Sequence, residues 1–259
     1  MNGKKNKTAI KKENEPFRSQ IISKETISRL VRDVRENKNN PLISNGIYYR
    51  HSDIDMLTGY ALIIGPEDTP YHNGFYFFLF HFPIDYPYSP PSVLFHTNGN
   101  NVRFHPNFYR NGKVCVSILN TWNGEQWSSC FSLNNILTTL LSMFLQPYPL
   151  SLEPLWNTQD IIQKERYNLV LQHANITISI CDFLNNTNHL FYSIFKDICI
   201  PYFLEHYEQL LSLVETSKKT TSIIHIPIYN MIYKLDYIHL FTYMKMTYSN
   251  IHDDNPQLK

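Results

Sequence analysis

Cys115 follows a His-Pro-Asn triplet, His105–Asn107, by eight residues, and an Asn111-Gly112 turn leads into the short apolar segment that carries it. A thiol used only for packing needs no such punctuation. A thiol that must meet a large partner needs a rigid, non-helical approach. Cysteine attacks as its thiolate, and an ordinary thiol of pKa about 8.5 is only slightly ionised at neutral pH. A hydrolytic cysteine enzyme adds a histidine base oriented by Asn or Asp. His105 and Asn107 supply those types, but Pro106 pins the backbone and confines His105 to an extended conformation. That suits a fixed side chain better than a mobile proton shuttle. If Cys115 instead receives an acyl group as a thioester, exchange needs no strong base. Attack by an amine then creates an oxyanion, which a positioned amide donor stabilises. The Asn107 amide is such a donor. It suits equally well a turn stapled through main-chain hydrogen bonds, and the two roles are compatible. The expectation is a sulfur held open to solvent with this amide beside it.

The surrounding elements must hold that approach path. The stretch SKETISRLVRDVRENKNNP predicts an amphipathic helix, with Ile27, Leu30, Val31 and Val34 at helical spacing, Ser23 as cap and Pro41 as stop. Its opposite face carries Lys24, Arg29, Arg32 and Arg35, a pattern that a solvated surface also explains. Four strand-like runs follow, GIYYRHSD, TGYALIIGP, GFYFFLFHFP and SVLFHT, separated by turns at Gly59, Gly65-Pro66, Asn73-Gly74 and a proline cluster. The links are too short for parallel crossovers, so the strands form an antiparallel meander. Residues 75–82 are apolar at both parities, which predicts a strand covered on both faces. After Cys115, SLNNILTTLLSMFL predicts a helix capped by Ser132, with Leu133, Ile136, Leu137, Leu140, Leu141 and Phe144 in one stripe. Helical patterns resume at Asp160, with ITISI readable as helix or strand, and continue near residues 188–216 and 227–248. The plan is α+β.

The chain has 259 residues, 43% of them hydrophobic, enough for one large domain or a domain with an extension. A formal net charge of +1 leaves no global footprint for nucleic acid or a membrane surface. Four scattered cysteines, Cys115, Cys130, Cys181 and Cys199, contain no CxxC pair, which argues against zinc and against a disulfide framework. Apart from Cys115 they read as small apolar residues. The start, MNGKKNKTAIKKENEP, lacks the apolar core of a signal peptide, and no run approaches the ~18 apolar residues of a span. The expected compartment is cytoplasmic, nuclear or both, with residues 1–20 a disordered basic tail.

PYHNGFYFFLF, YPYSPPSVLF, HPNFYRNGKVCVSIL and WSSCFSLNNIL, in this order, resemble ubiquitin-conjugating enzymes over about residues 22–185. The resemblance implies a four-stranded meander flanked by helices in residues 21–185, with 186–259 as a helical C-terminal extension. It implies that Cys115 carries a ubiquitin thioester, that Asn107 supports the oxyanion and that His105 holds the loop. Glu153 matches the acidic residue that greets the acceptor lysine. The basic face of the first helix would meet a ubiquitin-activating enzyme. Tyr88, Ser129 and Cys130 fall in the two ligase-binding loops, where Ser129 and Cys130 depart from the usual Pro and Ala. Tyr71 and Gly74 read as fold-determining, and Trp122 and Trp127 as packed over the cysteine loop, with Trp122 also placed to touch ubiquitin's tail. The seven residues between Leu119 and Trp127, the QPYPLSLEP loop and the long tail resemble the large extended subclass, which includes the enzyme served by the alternative activating enzyme. No cofactor is implied, since ATP is consumed by the activating enzyme. Two rivals stand beside this: an inactive scaffold that binds ubiquitin or a ligase, and conjugation of another ubiquitin-like modifier.

Overall fold

A computed structural model describes residues 21–154, 160–217 and 221–254. The expected tail at residues 1–20 lies outside them. Helix α1 (Lys24–Asn39) starts at Ser23, whose side chain accepts from the Thr26 N–H. Strands β1 (Ile47–His51), β2 (Thr58–Ile64), β3 (Phe75–His81) and β4 (Ser92–Phe95) form one antiparallel sheet in sequence order. Register is fixed by pairs such as Tyr49 with Ala61, Leu62 with Phe77 and Phe80 with Val93. Helix α2 (Leu133–Phe144) buries Leu133, Ile136, Leu137, Leu140 and Phe144, while Leu141 is half-buried. Asn135 Oδ1 accepts from the Ser132 N–H and hydroxyl, closing the first turn.

Helix α3 (Ile161–Ala174) runs without a break into a π-helical stretch, Asn175–Asp182, and a last turn, α4 (Phe183–Asn185). The ITISI ambiguity therefore resolves as helix. The wide turn is anchored by Asn175, whose Oδ1 accepts from Tyr76 Oη and Ser179 Oγ while its Nδ2 donates to the His72 carbonyl. Gly74 makes this possible: a Cβ there would sit 1.7 Å from Asn175 Oδ1.

Helix α5 (Tyr192–Ser217) and helix α6 (Tyr237–Asp254) form most of the extension. The expectation of helix over 227–248 holds from Tyr237 onward and fails over 227–236. Strands β5 (Thr221–Ile226) and β6 (Met231–Asp236) form an antiparallel hairpin around Pro227–Tyr229, with Asn230 in the left-handed region at φ 46°. Ile224 and Ile226 point inward with Met231, Tyr233 and Leu235, the period-two alternation of a half-buried strand.

The extension covers the second face of the sheet. Phe75 meets Phe183 and Tyr202, and Phe77 meets Phe183, Phe191 and Phe195, whereas Tyr76 and Phe78 pack on Phe95 and Phe144. Arg50 of β1 ties the seam, pairing with Asp197 at 2.6 Å and donating to the Ile194 carbonyl.

The first helix is rotated from expectation. Thr26, Arg29, Leu30, Asp33 and Asn37 face inward, while Val31 is 44% exposed. The reason is a polar clamp. Arg29 Nε bonds Asp33 at 2.8 Å, and its two terminal nitrogens donate to the Ser129 and Phe131 carbonyls. Tyr86 Oη supplies the remaining donor to Asp33. Four bonds satisfy the polar groups that this fork buries.

Candidate active site

The cysteine segment hangs on the edge of the sheet. The Phe95 N–H donates to the Gly112 carbonyl at 2.8 Å, and Leu94 bridges to Lys113. Gly112 takes φ +86°, which suits glycine, and a Cβ there would press on the Phe95 carbonyl at 3.1 Å. From this anchor the chain reaches Cys115, whose N–H donates to the Asn107 carbonyl at 2.9 Å. The Asn107 amide returns the link, donating to the Cys115 carbonyl at 2.7 Å. The triplet and the cysteine are thus joined as a short closed circuit.

Two expectations change here. Cys115 is only 3% exposed rather than open to solvent. The Asn107 amide points to the cysteine's main chain and not past its sulfur, so what is seen is the staple. That amide carries two N–H groups, and the structure engages one.

His105 is fully buried. Its Nδ1 accepts from the Asn107 N–H at 3.0 Å, which places the ring proton on Nε2. Nε2 faces inward without a hydrogen bond of normal geometry. Burial, helped by the nearby Arg103 charge and opposed by the Met143 main chain, holds the imidazole down at about 3. A ring kept neutral and turned into the core is no proton shuttle. The Arg103 guanidinium fixes the same turn from outside, donating to the His105 and Pro106 carbonyls and lying 3.8 Å from the Tyr109 ring.

Downstream, the inserted segment folds back on the cysteine segment. The Val116 N–H donates to Thr121 Oγ1 at 2.8 Å, and Gln126 Nε2 bridges the Trp122 and Gly124 carbonyls. Trp122 is 45% exposed. Trp127 does not cover the cysteine loop. Its ring packs between Tyr86 and Phe131, its indole N–H donates to the Pro87 carbonyl, and its main-chain N–H donates to Asn120. This indole joins the two loops expected to bind a ligase, and Tyr88, Ser129 and Cys130 are exposed beside it. Cys130 is therefore not a packing residue. Cys181 and Cys199 are, and burial pushes the Cys181 thiol up to about 12.

On the first helix Lys24, Arg32 and Arg35 are exposed, but Arg29 is spent on the internal clamp and is not free for a partner. Tyr71 is fully buried, with its hydroxyl donating to the Phe104 carbonyl. Glu153 is half-buried, and its carboxylate accepts from Tyr229 Oη at 2.9 Å. Tyr229 and Arg103 were not singled out by sequence reasoning. Nothing local marks Tyr229, because its partners Glu153, Arg103 and Arg110 lie far along the chain.

The family model described as ubiquitin-conjugating enzyme matches residues 29–155. "Ubiquitin-conjugating enzyme E2 Z" of Xenopus tropicalis is 41% identical over 164 residues, covering 62% of this chain and 51% of the relative. The human E2 Z is 40% identical over 165 residues, covering 60% and 44%. "Dual E2 ubiquitin-conjugating enzyme/E3 ubiquitin-protein ligase BIRC6" of Homo sapiens is 44% identical over 116 residues, covering 43% of this chain and 2% of that protein. The chain spans about half the length of the E2 Z relatives it matches.

Proposed function

We propose, from the match of residues 29–155 to the ubiquitin-conjugating enzyme family and the likeness to E2 Z, that the chain is a member of that family and that Cys115 accepts the carboxyl end of ubiquitin from an activating enzyme. The Cys115 thiolate attacks the activating enzyme's thioester; a new S–C bond forms, the old one breaks, and the donor thiolate leaves. A substrate lysine or a ligase cysteine then attacks the Cys115 thioester. With an amine, the N–C bond forms, the C–S bond breaks and the amine loses its proton. The supporting observation is the closed circuit of Asn107 and Cys115 inside the family-matching segment. Cys115 needs only enough opening for a slender extended peptide end, and the second N–H of Asn107 is the donor assigned to the oxyanion.

The reading extends to partners. Lys24, Arg32 and Arg35 present exposed cations for an acidic face of the activating enzyme, the alternative one on the resemblance of the inserted loop and the long tail to the extended subclass. Tyr88, Ser129 and Cys130 form the ligase-facing rim, and Trp122 stands ready for ubiquitin's tail. ATP is consumed by the activating enzyme, so this chain needs no cofactor, and its working compartment is the cytoplasm, the nucleus or both. The slight exposure of Cys115 and the turning of the Asn107 amide onto the main chain are features that a non-catalytic scaffold would share. Incubation with ubiquitin, ATP and each activating enzyme separates the two. An adduct cleaved by reductant, absent in Cys115→Ala and converted to a reductant-resistant ester in Cys115→Ser, is the expected result. No adduct with any activating enzyme refutes the proposal.

A further inference from the structure

The turn of the β5–β6 hairpin, which lies beyond the family-matching segment, touches two separate parts of that segment through one residue. Tyr229 is 6% exposed. Its ring centroid lies 4.9 Å from the Arg103 guanidinium, the group that donates to the His105 and Pro106 carbonyls. Its carbonyl accepts from Arg110 Nη2 at 2.8 Å, on the turn that leads to Cys115. Its hydroxyl donates to Glu153 Oε2 at 2.9 Å. Burial raises the phenol well above its ordinary range, with Tyr167 and Glu153 adding to the effect, so it stays a donor at any working pH. A buried phenol needs some acceptor, but main-chain carbonyls would serve, as one does for Tyr71 and for Tyr167. Here the acceptor is instead the carboxylate on the loop after α2.

The geometry points to Tyr229 as a positioning residue for the transfer step, fixing the Glu153 carboxylate through its hydroxyl and bracing the His105–Asn107 turn through Arg103. The extension then completes the acceptor side of the site, where a primary amine must be oriented before it attacks. This rests on the proposed thioester at Cys115. The hydroxyl acts on Glu153 alone, while the ring acts on Arg103, and Tyr229→Phe separates them because it keeps the ring.

The test uses the full chain, pre-charged with ubiquitin and freed of activating enzyme, with free lysine as the probe. Loss of equal amounts of adduct is followed over a range of lysine concentrations for the parent, Tyr229→Phe, Glu153→Ala and the double variant. Tyr229→Phe is expected to raise the half-saturating lysine concentration roughly tenfold, the worth of a hydrogen bond to a charged group. The maximal rate should change much less. In the Glu153→Ala background the same substitution should add nothing, because the two act as a unit. Parent-like lysine dependence in Tyr229→Phe overturns the inference, as does a full additive loss in the double variant. A lowered melting temperature with unchanged lysine dependence marks a packing role and overturns it too. If the parent forms no adduct at all, the reading of Cys115 fails and carries this inference with it.

Discussion

An imidazole can move protons or hold a turn, and the surroundings of His105 separate the two. Nδ1 is committed to the Asn107 N–H, and burial keeps the ring neutral. That neutrality has a consequence for stability. The folded value of about 3 lies below the ordinary value of 6.5, so below pH 6.5 the unfolded chain binds a proton that the folded chain refuses. The contribution is full above pH 6.5 and is lost as pH falls from there toward 3. Between pH 7 and pH 5 this residue alone should remove about 2 kcal/mol. Urea unfolding at the two pH values should show it, and His105→Asn should flatten the difference. His96, His173 and His189, all lowered chiefly by burial, add slope of the same sign. A difference as steep in His105→Asn as in the parent contradicts the assignment.

At the scale of elements, the Arg29 clamp and the Gly74–Asn175 contact are the joints that set helix positions. Arg29→Ala leaves the Asp33 carboxylate buried with Tyr86 as its remaining hydrogen-bond donor, at a cost of about 3–5 kcal/mol. Arg29→Lys should recover little, since one ammonium cannot serve Asp33 and two carbonyls in a planar fork. Denaturant midpoints of both variants measure this. Gly74→Ala drives a methyl into Asn175 and should cost ~1–3 kcal/mol, with part of the loss relieved in Gly74→Ala/Asn175→Ala. Full additivity of the pair would show that the contact is not the cause. These joints also explain what was legible in the sequence. The meander, α2 and the position of Cys115 follow from periodicity and turn chemistry, which act over a few residues. The inward face of α1 was misread because Val31 and Val34 continue the helical spacing of Leu30, while the true core contacts include the Arg29–Asp33 pair, whose guanidinium also donates to a loop about a hundred residues away. The β5–β6 hairpin was misread because Ile224, Ile226, Met231, Tyr233 and Leu235 alternate across a turn that lacks the Asn-Gly type of signal. The staple from Asn107 was legible as a type of contact, but its direction depended on how the cysteine segment lies against β4.

At the scale of the whole molecule, the extension behaves as a structural half of the fold and not as a tail. Phe75 and Phe77 have their partners in residues 183–202, so the sheet alone would expose contiguous aromatic surface. A chain ending at residue 190 should lose cooperative unfolding, bind a hydrophobic dye and associate in gel filtration. A monomeric, cooperatively melting fragment would show that the first part of the chain folds independently. Among the described residues no helix is long and apolar enough to cross a membrane.

Because α5 and its aromatic neighbours lie against β3, neither broad surface of the sheet is vacant. A visiting protein that grips flat β-structure finds no landing ground in the middle of the molecule. Its remaining approaches are the loops, the rims and the outward side of the first helix, unless it first prises a twenty-six-residue helix from its bed.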